Sequence, residues 1–252
     1  MNMNFHYNAI VSSDWSECLA PCGPFDCLSY NYPELKPRLT QVFKQYTGNR
    51  ISLGQASEQI RTALPGPVTE DQMDAYLDAS FVTYTGVADL IEWCSRNHVL
   101  FMINTTGMIG YFQRVFVKGL LPVVPVISAH PMIRFPKQAS DPQTIFDLFE
   151  TQDKGKNTSA LAASLGMSSD KIILMGDSGG DGPHFEWGAE SGAFLIGSMT
   201  KPSLAGYCRS KDIAINLKFG IDYSSGHKPN LQKELQHNFM DLVSVISEIA
   251  KR

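Results

Sequence analysis

Ile172-Ile173-Leu174-Met175 constrains the fold more than any other stretch: four consecutive apolar residues bounded by Lys171 and Gly176. A short run of this kind, with no polar alternation, reads as a strand buried on both faces, as in a parallel sheet covered by helices on each side. Directly after it, Gly176-Asp177-Ser178-Gly179-Gly180-Asp181 sets two carboxylates on a loop of small residues. Open α/β sheets bind ligands beyond the carboxyl ends of their strands, so this loop is the first candidate for a site. Two aspartates this close repel each other unless a cation lies between them, and hard oxygen donors on a tight loop suit Mg²⁺.

The same loop contains Gly176-Asp177-Ser178-Gly179-Gly180, a string also found around the nucleophile of chymotrypsin-like serine proteases, and Ser128-Ala129-His130 faintly resembles their histidine segment. The context argues against that chemistry. His130 is too close in sequence to Ser178, Asp181 stands where the pattern has proline, and the flanking chain alternates strands with helices instead of being all β.

At 252 residues, 43% hydrophobic and 18% charged, the chain can form one large α/β domain or a core with a small satellite. A formal net charge of -4 gives no electrostatic reason to expect nucleic acid or an anionic membrane as a partner. No apolar run reaches the length of a membrane span, and Met1 to Tyr7 lacks the basic-then-apolar pattern of a signal peptide. Five cysteines, an odd number without a repeating framework, favour a reducing cytoplasm. Cys18, Cys22 and Cys27 match no standard zinc spacing and lack an evident fourth ligand.

In chain order, Tyr7 to Ser13 predicts the first strand, which delivers Asp14 to its carboxyl end. Pro21 to Pro33 reads as irregular. Helical patterns follow from Pro33 to about Tyr46, from Leu53 to Leu64, and from Thr69, an N-cap with Gln72 three residues on. This mainly helical stretch separates the first strand from the next α/β unit and reads as a small inserted domain. Gly86 to Asn97 predicts a helix, Val99 to Ile103 a second buried strand ending in Asn104-Thr105-Thr106-Gly107, and Tyr111 to Lys118 a helix. Val123 to Ser128 and Met132 to Phe135 read as short strands, Ile145 to Phe149 is ambiguous, and Thr158 to Leu165 is a helix stopped by Gly166. Ala193 to Ile196 and Ile213 to Asn216 read as strands, and Leu231 to Ala250 as one closing helix.

Four element ends thus present polar groups: Asp14, Thr105, Lys154 and the pair Asp177/Asp181. Each alone has an ordinary explanation. An aspartate after a strand is usually a turn or cap, Thr105 a cap, Lys154 a solvated charge with Lys156 as its rival, and the aspartate pair a structural turn. His130, His184 and His227 read as surface or hydrogen-bonded residues. Taken together and in order, the four resemble the haloacid dehalogenase (HAD) superfamily, whose members are mostly phosphohydrolases, and within it the phosphoserine phosphatase-like members. Asp14-Trp15-Ser16-Glu17-Cys18-Leu19 resembles the first motif, Asp-x-Asp-Gly-Thr followed by an apolar residue. Thr105 with Thr106-Gly107 is similar to the second motif, Lys154-Gly155 to the third, and Asp177 with Asp181 to the fourth, Gly-Asp-x-x-x-Asp. The resemblance covers nearly the whole chain apart from the segment after Met199. It implies a doubly wound, Rossmann-like α/β core of residues 1–19 and 85–252 with a type 1 helical cap at residues 20–84.

The resemblance also implies roles that suit the residue types. Asp14 would attack phosphorus and form an aspartyl-phosphate, splitting one hard displacement into two. Asp14, Asp177, Asp181 and the Ser16 backbone carbonyl would hold Mg²⁺, and Lys154 would pair with phosphoryl oxygens and with Asp14. Thr105 would donate its hydroxyl to the phosphoryl group, alongside backbone N–H groups around Trp15, Thr106 and Gly107. The implied partner is a small phosphorylated molecule.

One departure from the pattern matters. Ser16 stands where the first motif has its second aspartate, Glu17 replaces the glycine, and Cys18 the threonine. The missing aspartate is the phosphatases' general acid and base, worth about a hundred- to ten-thousand-fold. Two readings follow. The chain is an atypical hydrolase that either takes a substrate with a good leaving group or acts slowly with Glu17 as a makeshift base, or it is a catalytically silent protein that binds a phosphorylated ligand.

Overall fold

β1 (Ala9–Ser13) is buried along its whole length and pairs in parallel on both sides, with β2 (Val99–Met108) and with β5 (Ile172–Gly176). This comes from a computed structural model, which describes residues 6–48 and 50–252; the reading of Met1 to Tyr7 therefore falls largely outside the described residues. Beyond β2 lie β3 (Val126–His130) and β4 (Thr144–Asp147), and beyond β5 lie β6 (Phe194–Ser198) and β7 (Leu217–Phe219). The sheet order is β4-β3-β2-β1-β5-β6-β7, parallel throughout, which is the expected doubly wound α/β core.

The apolar runs explain the layering. Successive side chains of a strand point to opposite faces, so Ala9, Val11, Ile173 and Met175 enter one hydrophobic layer while Ile10, Ile172 and Leu174 enter the other. α5 (Val87–Arg96) packs on β2 with Val87, Leu90, Ile91 and Cys94 buried, as its periodicity predicts. α6 (Ile109–Val117), α7 (Asp153–Leu165), α8 (Gly182–Ser191) and α9 (Pro202–Ser210) complete the α/β alternation.

Between β1 and α5 the described residues form four α-helices: α1 (Asp26–Asn31), α2 (Lys36–Thr47), α3 (Leu53–Ala63) and α4 (Glu70–Ser80). Ser52/Gln55 and Thr69/Gln72 form full capping boxes at α3 and α4. The insert's buried residues belong to the same apolar layer as Val11 and Met175. Arg114 of α6 pairs with Glu70 at 2.5 Å and Asp74 at 2.7 Å of α4. Glu150 accepts hydrogen bonds from the Ser52 hydroxyl (2.8 Å) and the N–H groups of Leu53 (3.0 Å) and Gly54 (3.1 Å), tying the start of α3 to the core.

Several expectations need correction. The segment read as irregular contains α1, a helix too short to show a period. The helix expected from Pro33 starts at Lys36, after a 3-10 turn that Pro33 opens. β2 runs on to Met108, so Thr105, Thr106 and Gly107 lie within the strand and not after it. The strand expected at Val123 to Ser128 is shifted to Val126–His130. Met132 to Phe135 is not a strand: Ile133 and Phe135 bond α6 instead, with Gly110 N–H donating to Ile133 O (2.8 Å) and Phe135 N–H to Gln113 Oε1 (2.8 Å). α7 begins at Asp153, which brings Lys154 onto its first turn. Ile213 to Asn216 is not strand either, because the Asn216 side chain accepts from Leu195 N–H (2.7 Å) and pairing resumes only at Leu217. The closing helix is two, α10 (Leu231–Glu234) and α11 (Val243–Ala250), interrupted where the Asn238 side chain caps a new turn at Met240 N–H (3.0 Å).

Candidate active site

β1 and β5 are neighbours whose connections leave toward opposite edges of the sheet, so a crevice opens beyond their carboxyl ends. Asp14 leaves β1 directly into it, its N–H bonded to Met175 O at 3.0 Å. Asp177 follows β5, and Asp181 folds back over Gly176. Only glycine fits there, since a Cβ would lie 2.6 Å from Asp181 Cγ. Asp181 Oδ2 accepts from the N–H groups of Asp177 (3.0 Å) and Ser178 (3.2 Å), and its Oδ1 accepts from Lys154 Nζ (2.5 Å). The same ammonium lies 3.0 Å from Asp14 Oδ1. Asn104 fixes the first turn of α7 from below, donating to the Lys154 carbonyl (3.0 Å) and to Thr158 Oγ1 (3.0 Å).

Burial decides how these charges settle. It pushes the carboxyls of Asp14 and Asp177 upward, against the pull of Lys154 on the first and Lys201 on the second. For Asp181, burial is outweighed by Lys154 and the two N–H donors, which hold it below the usual carboxylate range. Burial also opposes the Lys154 ammonium, but Asp14 and Asp181 together keep it firmly charged.

Three of the buried polar atoms that lack a well-formed hydrogen bond belong to these carboxylates. Asp14 Oδ1 and Asp177 Oδ2 are buried with only an ammonium against each, Lys154 at 3.0 Å and Lys201 at 2.9 Å, and Asp177 Oδ1 is buried with no partner. One oxygen from each of Asp14, Asp177 and Asp181 lies within 4.8 Å of the others, and among the described residues no other group of three such side chains is found. Three hard oxygen donors, with Asp177 Oδ1 left without any partner, fit a divalent cation such as Mg²⁺. Asp181 fits that role less directly, because both its oxygens are already engaged. The Ser16 carbonyl is left outside the bridge between Ser16 and Ala20, which runs through Trp15 O and Glu17 N–H.

The other expected residues fall into place around this spot. Thr105 is buried beside Asp14, its hydroxyl accepting from Gly107 N–H at 3.2 Å. Thr106 lines the crevice with Asp14, Ser16 and Lys154, while Gly107 lines an adjoining slot. Lys156 does not enter: it is exposed and pairs with Asp153 at 2.8 Å. Ser178 is engaged within its own turn, and His130 Nδ1 accepts from Met132 N–H at 3.0 Å, so the protease-like string carries no matching arrangement. His184 is wholly buried, bonded to Thr158 Oγ1 at 3.1 Å, and burial and then Lys154 push its imidazole down to about 3. The five cysteines are free and buried.

Two site residues escaped the sequence reading. Lys201, at the start of α9, lies 2.9 Å from Asp177 Oδ2, forms a short bond to Glu17, and donates its backbone N–H to Asp177 O at 2.8 Å. A lysine just after a buried strand and before a helix-opening Pro202 is the signal that marks it. Tyr46 of α2 lines the crevice opposite Lys154, its buried hydroxyl beside Thr106 and over Gly180. Burial raises that phenol to about 12, so it is a neutral donor.

Fold and crevice together define an open, doubly wound α/β protein with an acidic, lysine-bearing pocket at its topological switch point. No protein-family model matches the chain, and no curated protein matches it in sequence. Solved structures do. A phospho-aspartyl intermediate analogue of phosphoserine phosphatase aligns over 95% of this chain and 99% of its own, with 10% identity and a TM-score of 0.65. A substrate-bound phosphoserine phosphatase aligns over 94% and 98%, with 13% identity and a TM-score of 0.64. A HAD family hydrolase from Salmonella enterica serovar Typhi aligns over 96% and 72%, with 14% identity and a TM-score of 0.65. The chain has the fold of these phosphatases and hydrolases. Among the described residues, no helix is long and apolar enough to cross a membrane.

Proposed function

We propose that the chain is a HAD-type phosphohydrolase, dependent on Mg²⁺, that acts on a small phosphorylated molecule through Asp14. One observation carries this reading: Lys154, 1% exposed, is held between Asp14 and Asp181 next to Asp177, whose Oδ1 is buried without a partner, at the carboxyl ends of two central strands. No structural need accounts for three carboxylates and an ammonium buried together, whereas a phosphoryl group demands such an arrangement.

Asp14 and Asp177, with the Ser16 carbonyl, would hold the cation, and Asp181 would act mainly by fixing Lys154. Bound there, Mg²⁺ would neutralise phosphoryl charge. Lys154, the Thr105 hydroxyl and the Tyr46 hydroxyl would grip the phosphoryl oxygens. The Asp14 carboxylate attacks phosphorus as the bond to the leaving oxygen breaks, and water then releases phosphate and regenerates the carboxylate. Ser16 cannot take a proton from that water, so the second step is the slow one. Residues 20–84 would serve as the cap, with Tyr46 reaching from it into the crevice.

Rapid-quench kinetics on an aryl phosphate test this. The expected result is a burst followed by a slow steady state, both lost in Asp14→Asn. In Ser16→Asp the slow phase should quicken by up to about a hundred- to ten-thousand-fold. If the wild type gives neither burst nor turnover while phosphate and Mg²⁺ still bind, the protein is a binder of phosphorylated ligands and not an enzyme.

A further inference from the structure

Next to the charged crevice, and sharing Ser16 and Pro24 with it, lies a second slot of opposite character. Trp15, Cys22, Cys27, Tyr76, Tyr111 and Phe112 form its walls, and no charged side chain lines it. Trp15 is the base plate, with the Phe112 ring edge-on at 5.4 Å and Tyr111 tilted at 6.2 Å. Its indole N–H is buried and faces the Cys22 thiol and the Tyr111 hydroxyl, so the polar groups of this wall are neutral. The thiols of Cys22 and Cys27 are also neutral, since burial raises both to about 12. The nearest acid, Asp26, turns away: its Oδ2 accepts the Gly23 N–H at 2.6 Å, and it lines grooves on the outer side.

We infer that this slot receives the leaving group and takes an uncharged aromatic ring, so that the substrate is an aryl phosphate monoester; this rests on the phosphohydrolase reading above. Two independent features of the same corner agree. The walls offer ring contacts and only neutral polar groups, with no charged side chain to pair an ammonium or a carboxylate. Burying either charge there without a partner is costly. The floor holds Ser16 in place of a general acid, so the departing oxygen leaves without a proton. A phenol, whose pKa is about 10 as in tyrosine, leaves as its anion far more readily than an aliphatic alcohol. In the step, the Asp14 carboxylate oxygen bonds to phosphorus while the phosphorus–aryl oxygen bond breaks and its electron pair departs on the phenoxide. Water then displaces Asp14 from phosphorus, its two protons staying with the phosphate as H₂PO₄⁻, and the phenoxide takes a proton from solution. As it stands the slot is narrow, about 20 Å³, room for a water and not a ring. Entry requires Cys22-Gly23-Pro24, its outer wall, to swing outward.

Phenyl phosphate and O-phosphotyrosine release phenols of similar acidity, so the difference in their kcat/KM reports the surroundings of the ring and not the bond cleaved. Phenyl phosphate should be preferred by about tenfold or more. Equal values, or a preference for O-phosphoserine over phenyl phosphate, overturn the inference. The slot is also read without turnover. Trp93→Phe with Trp187→Phe leaves Trp15 as the sole tryptophan of the three. Phenol should change its emission saturably and L-serine should not. If none of the esters is hydrolysed, the phosphohydrolase reading fails, and this titration decides the slot by itself: no saturable change with phenol overturns it.

Discussion

Lys154 and Lys201 each sit between two carboxylates at the carboxyl edge of the same sheet, yet they stand in different electrostatic worlds. The Lys154 side chain is 1% exposed, against 9% and 1% for its partners Asp14 and Asp181. Lys201 is 26% exposed, and of its partners Asp177 is 1% and Glu17 40% exposed. The first is a closed floor in which every charge depends on the others; the second is a rim open to water. Removing one member of a buried set leaves its partners uncompensated, whereas water substitutes for a lost partner at a rim. Lys154→Met should therefore abolish phosphate release and destabilise the fold by about 3–5 kcal/mol. Lys201→Met should cost less, because water substitutes at Glu17 and only Asp177 loses a buried partner. Parallel urea unfolding of the two variants checks this, and equal losses would erase the distinction between floor and rim.

The same contrast explains what could be read from the sequence. Asp14, Thr105, Lys154, Asp177 and Asp181 each follow or open a strongly patterned element, and their order along the chain is a pattern in itself. Buried strands such as Ile172–Gly176 leave little freedom in where the next residue goes, so the floor was legible. Lys201 belongs to the part of the chain where periodicity fades. What places it is the bond from its N–H to Asp177 O together with Pro202 opening α9, a tertiary fact with no local period. Tyr46 was legible only as one apolar position of a helix stripe; that its hydroxyl meets the crevice depends on how the insert docks. The misplaced strands at Met132 to Phe135 and Ile213 to Asn216 failed for a related reason. Their β-like composition was overridden by backbone N–H bonds to the side chains of Gln113 and Asn216, which only the folded chain can supply.

The rim has its own expected effect, on metal and not on stability. Lys201 lies against Asp177 Oδ2 and leaves Oδ1 free, which would orient the carboxylate toward the proposed cation. Partners that orient a ligand typically account for about 10–100-fold in metal affinity. Lys201→Met should raise the Mg²⁺ dissociation constant by that factor. At saturating Mg²⁺ this removes about 1.4 kcal/mol of the ion's stabilisation for each factor of ten. Thermal unfolding across a Mg²⁺ titration reads it directly. A tighter response in the variant would mean that the ammonium competes with the ion and does not orient its ligand.

Acid should find the floor before the rim. His184 lies beneath Lys154, and its imidazole is depressed to about 3 by burial and then by Lys154. In the unfolded chain it binds a proton near its ordinary value of about 6.5. Between these values the unfolded state holds more protons, so stability is present above about 6.5 and is lost as the pH falls toward 3. One group contributes at most about 1.4 kcal/mol per pH unit. His184→Gln keeps a donor for Thr158 but cannot titrate, and its stability should fall less steeply below pH ~6.5 than that of the wild type. Coincident slopes in urea unfolding at pH ~4.5, 5.5 and 6.5 would remove His184 from the acid response.

The smallest expected effect is the most discriminating. Glu17 holds a left-handed backbone, φ 57°, at the position where the first motif of the resembling family has glycine. A non-glycine residue there costs on the order of 1–2 kcal/mol, and what the residue brings in return is its carboxylate on Lys201. Glu17→Gly relieves that strain, enlarges the freedom of the unfolded chain by a comparable amount, and gives up one half-exposed ion pair. Net stability should thus shift by no more than about 1 kcal/mol. Without Glu17, Lys201 rests on Asp177 alone, so Mg²⁺ affinity should weaken modestly and steady-state hydrolysis of an aryl phosphate should fall only a few-fold. If Glu17 instead served as the base that activates water, its loss would slow the steady state by about a hundredfold or more, leave the burst intact, and leave Mg²⁺ affinity unchanged. The first pattern keeps Glu17 as part of the rim that positions Lys201; the second moves it into the chemistry that Ser16 cannot perform.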